Sequence, residues 1–167
     1  RNLSQVDYRA ADDWKLPLLV QAARRFLASE HPWREGYEAF RADAHWLEEA
    51  GLYWAIKAHH EGRPWWEWPE GLRGREPTAL EGARGRLAEE IQVWGVLEYL
   101  FDRQWRTLRA TCQERGVLLL GDLPIYVGED SVAAWSQPEL FQVRADGRPR
   151  VVAGVPPDPY AAEGQRW

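Results

Sequence analysis

Apolar residues recur at helical spacing through the first two thirds of the chain. Trp33, Tyr37, Phe40, Ala44 and Leu47 are spaced four, three, four and three, which predicts a helix with one apolar face. Gly51 kinks or ends that helix, and Leu52 to His59 form a further short one. Ahead of it, Asp12 and Asp13 are placed to cap a helix running to about Ala28. Trp14, Leu18 and Phe26 are among its apolar residues, and Pro17 falls in its first turn or so, where proline is tolerated best. Downstream, one long helix is expected from about Thr78 to Arg115. Its stripe passes through Leu87, Ile91, Trp94, Leu97, Phe101, Trp105, Leu108 and Cys112, and Gly116 serves as the C-cap. Residues 61–77, EGRPWWEWPEGLRGREP, connect these helices, and their aromatic content favours an ordered loop.

After Gly116 the pattern changes. Val117 to Leu120 are four consecutive apolar residues followed by Gly121 and Asp122, which reads as a buried parallel strand ending in a polar tip. A helix feeding directly into such a strand is an α/β signature. One parallel strand cannot form a sheet alone, so its partners are expected outside these residues. Val143 and Val151 flank a polar turn with Asp146 and Gly147, predicting a small hairpin. In GDLPIYVGEDSVAAWSQPELF (Gly121 to Phe141) and VVAGVPPDPYAAEGQRW (Val151 to Trp167), glycines, prolines, acids and aromatics alternate too irregularly for a helix face.

Composition narrows the classes. With 167 residues, 45% hydrophobic and 28% charged, the chain has the makings of a globular core. A net charge of −5 argues against nucleic acid, whose affinity rests on cationic contacts to phosphate. No stretch approaches about 18 consecutive apolar residues, and no signal peptide opens the chain, so no membrane partner and a cytoplasmic location are expected. Eleven tryptophans serve as burial anchors, and their faces are also the kind that stack on sugar rings. Cys112 has no partner for an internal disulfide and reads as a small core residue. His59 and His60 are adjacent and diverge on a helix, and His31 and His45 lack a ligand framework; no phosphate loop or CxxC is present. No metal and no cofactor are therefore expected. The chain has no methionine, begins at Arg1 and stops at Trp167 in loop-like sequence, which reads as a piece of something longer.

The two irregular segments, joined by the ADGRP turn (Ala145 to Pro149), closely resemble the amylomaltases, 4-α-glucanotransferases that transfer stretches of α-1,4-glucan between acceptors. RPWWEWP (Arg63 to Pro69) matches more loosely. The resemblance implies an α/β fold: part of a (β/α)8 TIM barrel with a large inserted helical subdomain. This chain would be mostly α-helical plus one barrel strand and a small β-hairpin. Residues 1–115 would be the helical inserted subdomain leading into a barrel helix, and residues 116–167 the barrel strand, hairpin and active-site loop. In such barrels polar residues at the C-terminal strand ends line the active face.

The implied reaction is a retaining double displacement on maltodextrins, which needs a carboxylate nucleophile and a carboxylic acid about 5 Å apart. The family's nucleophile, acid/base and stabilising aspartate lie in later motifs absent from this sequence. No catalytic residue is therefore assigned within this chain, Glu129 and Asp130 included, and the chain alone is expected to be inert. The resemblance implies substrate-binding roles instead. Asp122 matches an aspartate at the end of the family's strand, facing the cleft; the residue-level alternative is an aspartate capping the turn before Pro124. Asp158 matches a sugar-hydroxyl ligand in a loop over the cleft; the alternative is a Pro-Asp turn residue. Tyr160, Gln165 and Trp167 match glucan-facing residues of the same loop. One departure stands out: where the family has two adjacent aromatics after PPD, this chain has Pro159 and then Tyr160. The implied partners are a maltodextrin or α-1,4-glucan and the remainder of the barrel. Two other classes stay open. One is a glucan-binding module using Trp65, Trp66 and Trp68, although packing is the commoner use of such residues. The other is a helical interaction subdomain that exposes an apolar patch around Val117 to Leu120.

Overall fold

A computed structural model describes residues 6–124, 126–159 and 161–166. Seven helices occur among them: α1 (Tyr8–Ala28), α2 (Arg34–Asp43), α3 (Leu47–His59), α4 (Glu70–Arg73), α5 (Pro77–Arg86), α6 (Ala88–Glu114) and α7 (Val132–Ser136). A two-residue antiparallel pair, β1 (Gly154–Val155) with β2 (Gln165–Arg166), lies near the end. The chain divides into two compact units interleaved in sequence: residues 1–51 with 88–118, and residues 52–87 with 119–167.

In the first unit α1 packs along α6 and α2 sits beside α6. Its core is Ala23 and Phe26 of α1, Tyr37 of α2, and Val93, Val96 and Tyr99 of α6. Spacings of three along α1 (20, 23, 26) and α6 (93, 96, 99) supply these faces. The aromatic rings meet edge-on or tilted, with Phe26 and Tyr37 at 5.7 Å and 88°. Close approach is enabled by glycine: a Cβ on Gly51 would meet Ile91 at 3.1 Å, and one on Gly95 would meet the Tyr37 hydroxyl at 3.0 Å. Arg34 donates to the Phe26 and Leu27 carbonyls, satisfying acceptors that the end of α1 leaves open.

Several boundaries differ from the sequence expectation. Asp7 caps α1, its Oδ1 accepting from the Ala10 amide at 3.0 Å, so the helix begins before Asp12 and Pro17 lies well inside it. The proline is tolerated on the exposed half of α1, ahead of the buried positions. The expected helix through Leu47 is instead interrupted at Ala44, whose ψ of 73° is not helical, and Gly51 lies inside an unbroken α3. The expected single helix over residues 78–115 is two, broken at Leu87 after Gly85 and Arg86. The buried side of α6 runs through Val93, Val96 and Tyr99 instead of the expected stripe, whose Ile91, Trp94, Leu97 and Cys112 are half-buried and whose Phe101, Trp105 and Leu108 are exposed. Gly116 is the C-cap expected: at φ +67° it lets the Val117 amide reach the Cys112 carbonyl at 2.8 Å and its own amide reach Gln113 at 3.1 Å. Cys112 is half-buried.

The buried strand over Val117 to Leu120 is not formed. These four residues carry no strand pairing among the described residues and are 51%, 94%, 49% and 99% exposed. A parallel strand needs a neighbour to accept its ladder bonds, and the described residues supply none.

The second unit has its core in Tyr53, Ile56, Trp65, Trp68, Leu72 and Trp135, all buried. Residues 61–77 are ordered, with a 3₁₀ turn at Trp65–Glu67 followed by α4. The hairpin around Asp146 and Gly147 exists as one antiparallel bridge, Val143 with Pro149 rather than with Val151. Gly147 takes φ +86°, and the Arg144 amide donates to Arg148 O at 2.7 Å.

Candidate functional site

The first irregular segment is held to a tryptophan-rich base within the second unit. Trp68 and Trp135 are 2% and 0% exposed, and Tyr53, Trp68 and Trp135 meet with ring centroids 5.3–5.8 Å apart. Each buried indole N–H finds an acceptor, as a buried polar group must: Trp65 donates to Glu129 O (2.8 Å), Trp68 to Arg63 O (3.0 Å) and Trp135 to Leu72 O (3.0 Å). The Arg75 guanidinium lies 4.3 Å over the Trp135 ring.

Asp130 is the polar centre of this base. One carboxylate oxygen accepts from the Tyr53 hydroxyl at 2.8 Å and the Trp65 amide at 3.3 Å, and the other is ion-paired with Lys57. Burial, then the hydrogen bond to Asp130 and its charge, push the Tyr53 hydroxyl well above its ordinary range, so it remains a donor. Ser131 follows at once and caps α7, its Oγ accepting from the Ala134 amide at 3.2 Å. The loop is thus pinned where Asp130 and Ser131 end it, and α7 carries Trp135 into the core.

The residues predicted from sequence lie in the chain on either side of this anchor. Asp122 is exposed in a stretch with no helix or strand. Asp158 is exposed in the loop closed by β1 and β2, and its Oδ1 accepts from the Ala161 amide at 2.7 Å while its own amide donates to Ala161 O at 3.1 Å. It is therefore a turn-forming carboxylate. Gln165, also exposed, pairs with Val155 in the short ladder. Gly164 at φ +74° makes that closure possible, since a Cβ there would stand 2.4 Å from the Val155 carbonyl oxygen. Asp158 and Gln165 thus belong to one closed loop, whereas Asp122 comes from the preceding segment. Tyr160 and Trp167 lie outside the described residues.

Exposed carboxylates and an amide on constrained loops can exchange hydrogen bonds with a hydroxyl-rich ligand. A separate concave pocket of about 340 Å³ lies between Tyr126, Val127, Phe141, Val143, Pro149 and Val151, and contains none of these polar residues. Among the described residues no group of three or more His, Cys, Asp or Glu is placed to hold a metal ion, and no helix is long and apolar enough to cross a membrane. Sequence reasoning did not find the Asp130 anchor. Its one local signal is an acid directly before a serine helix cap; its partners lie 65 to 77 positions upstream.

The family model described as 4-alpha-glucanotransferase matches residues 1–167. The 4-alpha-glucanotransferase of Thermus thermophilus is 46% identical over 165 residues, covering 98% of this chain and 33% of that protein. The chloroplastic/amyloplastic 4-alpha-glucanotransferase of Solanum tuberosum is 36% identical over 166 residues, covering 98% of this chain and 29% of that protein. Among solved structures, the amylomaltase from Streptococcus agalactiae in complex with acarbose superposes with a TM-score of 0.86 at 36% identity, over 97% of this chain and 33% of that one. The fold is similar to that of the corresponding segment of the streptococcal amylomaltase. The chain belongs to the 4-alpha-glucanotransferase family and spans about a third of the length of the relatives it matches.

Proposed function

We propose that this chain is part of a cytoplasmic 4-α-glucanotransferase that moves α-1,4-glucan segments between maltodextrins by retaining double displacement. The observation that carries the reading is the family match over the whole chain, including both irregular segments. In the complete protein, Val117 to Leu120 would take ladder partners as one strand of a (β/α)8 barrel, which would cover an apolar run otherwise left in water. Residues 1–115 would form the inserted helical subdomain and its lead-in helix. Asp122, Asp158 and Gln165 would bind the glucan hydroxyls, joined by Tyr160 and Trp167. The acarbose held by the streptococcal relative supports a glucan ligand. The nucleophile and the acid/base would come from elsewhere in the complete protein.

Incubation of the full-length protein with maltotriose tests this directly. Glucose and longer maltodextrins are expected from it, and neither from the 167-residue chain alone. Glucose release by the isolated chain, or no transfer by the full-length protein, overturns the proposal. The exposed run Val117 to Leu120 also favours the reading in which the chain packs against the rest of its own enzyme. Burial of Trp65 and Trp68 speaks against a free-standing tryptophan platform for sugar.

A further inference from the structure

We infer that Trp65 is a positioning residue that couples the first irregular segment to the turn joining it to the second, holding Glu129, Asp130 and the turn at Gly147 against one indole. The residue is 3% exposed. Its indole N–H donates to the Glu129 carbonyl at 2.8 Å, and its backbone N–H donates to the Asp130 carboxylate at 3.3 Å. Both bonds fall inside the first irregular segment, immediately before the Ser131 cap of α7. The far edge of the same ring lies under the ADGRP turn. A Cβ added to Gly147 would stand 2.7 and 2.8 Å from the two outermost ring carbons, Cζ3 and Cη2, and 3.1 Å from Trp66 Cβ. Gly147 is buried at φ +86°, so the turn meets the ring with backbone alone. Asp130 is itself braced by Tyr53 and Lys57, which makes the strut stiff on one side.

The consequence is mechanical. A displacement of the indole moves the stretch just before α7 through Glu129 and Asp130. It also moves the turn that leads into the loop carrying Asp158 and Gln165. Trp65 thereby acts on the glucan-facing residues without touching glucan. This gives the RPWWEWP segment a role other than stacking on sugar. The activity part of the inference rests on the transferase reading; the coupling of the first segment to the turn does not.

The test uses the full-length protein with Gly147→Ala, Trp65→Phe and the double variant. Misplacing reacting groups by about 1 Å costs on the order of 100-fold in rate, so Gly147→Ala is expected to lower kcat/KM for maltotriose transfer by about 10- to 100-fold. A phenyl ring neither reaches as far as Cζ3 and Cη2 nor donates to Glu129, so Gly147→Ala should cost less, by about fivefold or more, in the Trp65→Phe background than in the wild type, a coupling of the size seen between residues in contact. A merely structural role for Trp65 makes the two losses multiply in the double variant. Rates are measured well below the Tm of all three variants. Amide hydrogen exchange is followed in parallel: Gly147→Ala should speed exchange not only at the turn but at 129–131, whereas in the Trp65→Phe background, which lacks the indole bond to Glu129, it should leave exchange at 129–131 unchanged. Unchanged exchange at 129–131 in Gly147→Ala, or losses that multiply in the double variant, overturns the inference. If the wild-type protein shows no transfer, the transferase reading falls and the exchange data alone decide whether the strut exists.

Discussion

Trp135→Ala should remove the keystone of the second unit. Trp135 is fully buried, contacts Tyr53 and Trp68 ring to ring, and lies under the Arg75 guanidinium. Truncating a buried tryptophan to alanine costs about 3–5 kcal/mol through lost transfer energy and the cavity left behind. Loss of the indole hydrogen bond adds about 1 kcal/mol and not more, because the Leu72 carbonyl also accepts from the Arg75 amide at 3.3 Å. The cation–π contact contributes about 0.5–2 kcal/mol on top. The sum is comparable to the whole stability of a domain, about 5–15 kcal/mol, so packing around this ring decides whether α7 stays docked. Trp135→Phe keeps a ring in place and should cost about 1–3 kcal/mol, which separates packing from polar loss. The assay is urea unfolding followed by far-ultraviolet circular dichroism, comparing midpoints at constant slope. A cost for Trp135→Ala below about 1 kcal/mol, the range of ordinary surface changes, would refute the reasoning.

Stability should also respond at both ends of the pH scale. The folded state holds the Tyr53 hydroxyl above its ordinary 10.0, mainly by burial, so the folded protein keeps that proton longer than the unfolded chain. Stability from this group is complete below pH 10 and is lost as pH rises beyond it; Tyr53→Phe should soften the alkaline fall in urea midpoint, and an identical fall in both proteins would exclude the effect. Burial, reinforced by the charges of His59 and Arg63, holds His60 below its ordinary 6.5. Its contribution is complete above pH 6.5 and declines as pH falls through the lowered value; His60→Gln should flatten the acid limb, and an unchanged limb would contradict that origin.

Helical periodicity made the three long helices recognisable, but not their ends. Asp7 and Asp12 are equally plausible caps by residue type, and only the Ala10 contact distinguishes them. Gly51 looks like a breaker by propensity, yet it serves close packing against Ile91, and the actual interruption falls at Ala44, an excellent helix former. The run Val117 to Leu120 carries a strand composition, but a strand is a property of a pair, and its partner is not in this chain's described residues. Asp158 was legible as a turn residue because two prolines precede it and the Asx contact is local. The Asp130 anchor was not, because Tyr53, Lys57 and Trp65 meet it only after the chain folds. Family membership was legible from the two irregular motifs, whose residues are too idiosyncratic in order and spacing to arise from helix or strand patterning.

The most direct measurement is amide hydrogen exchange of the full-length protein with and without saturating maltoheptaose, resolved over residues 121–130 and 151–166. Slower exchange in both segments, with α1 and α6 unchanged, is the expected result if these loops face the glucan. Equal exchange in the two conditions, in a protein that demonstrably binds the sugar, would contradict a glucan-facing role for Asp122, Asp158 and Gln165.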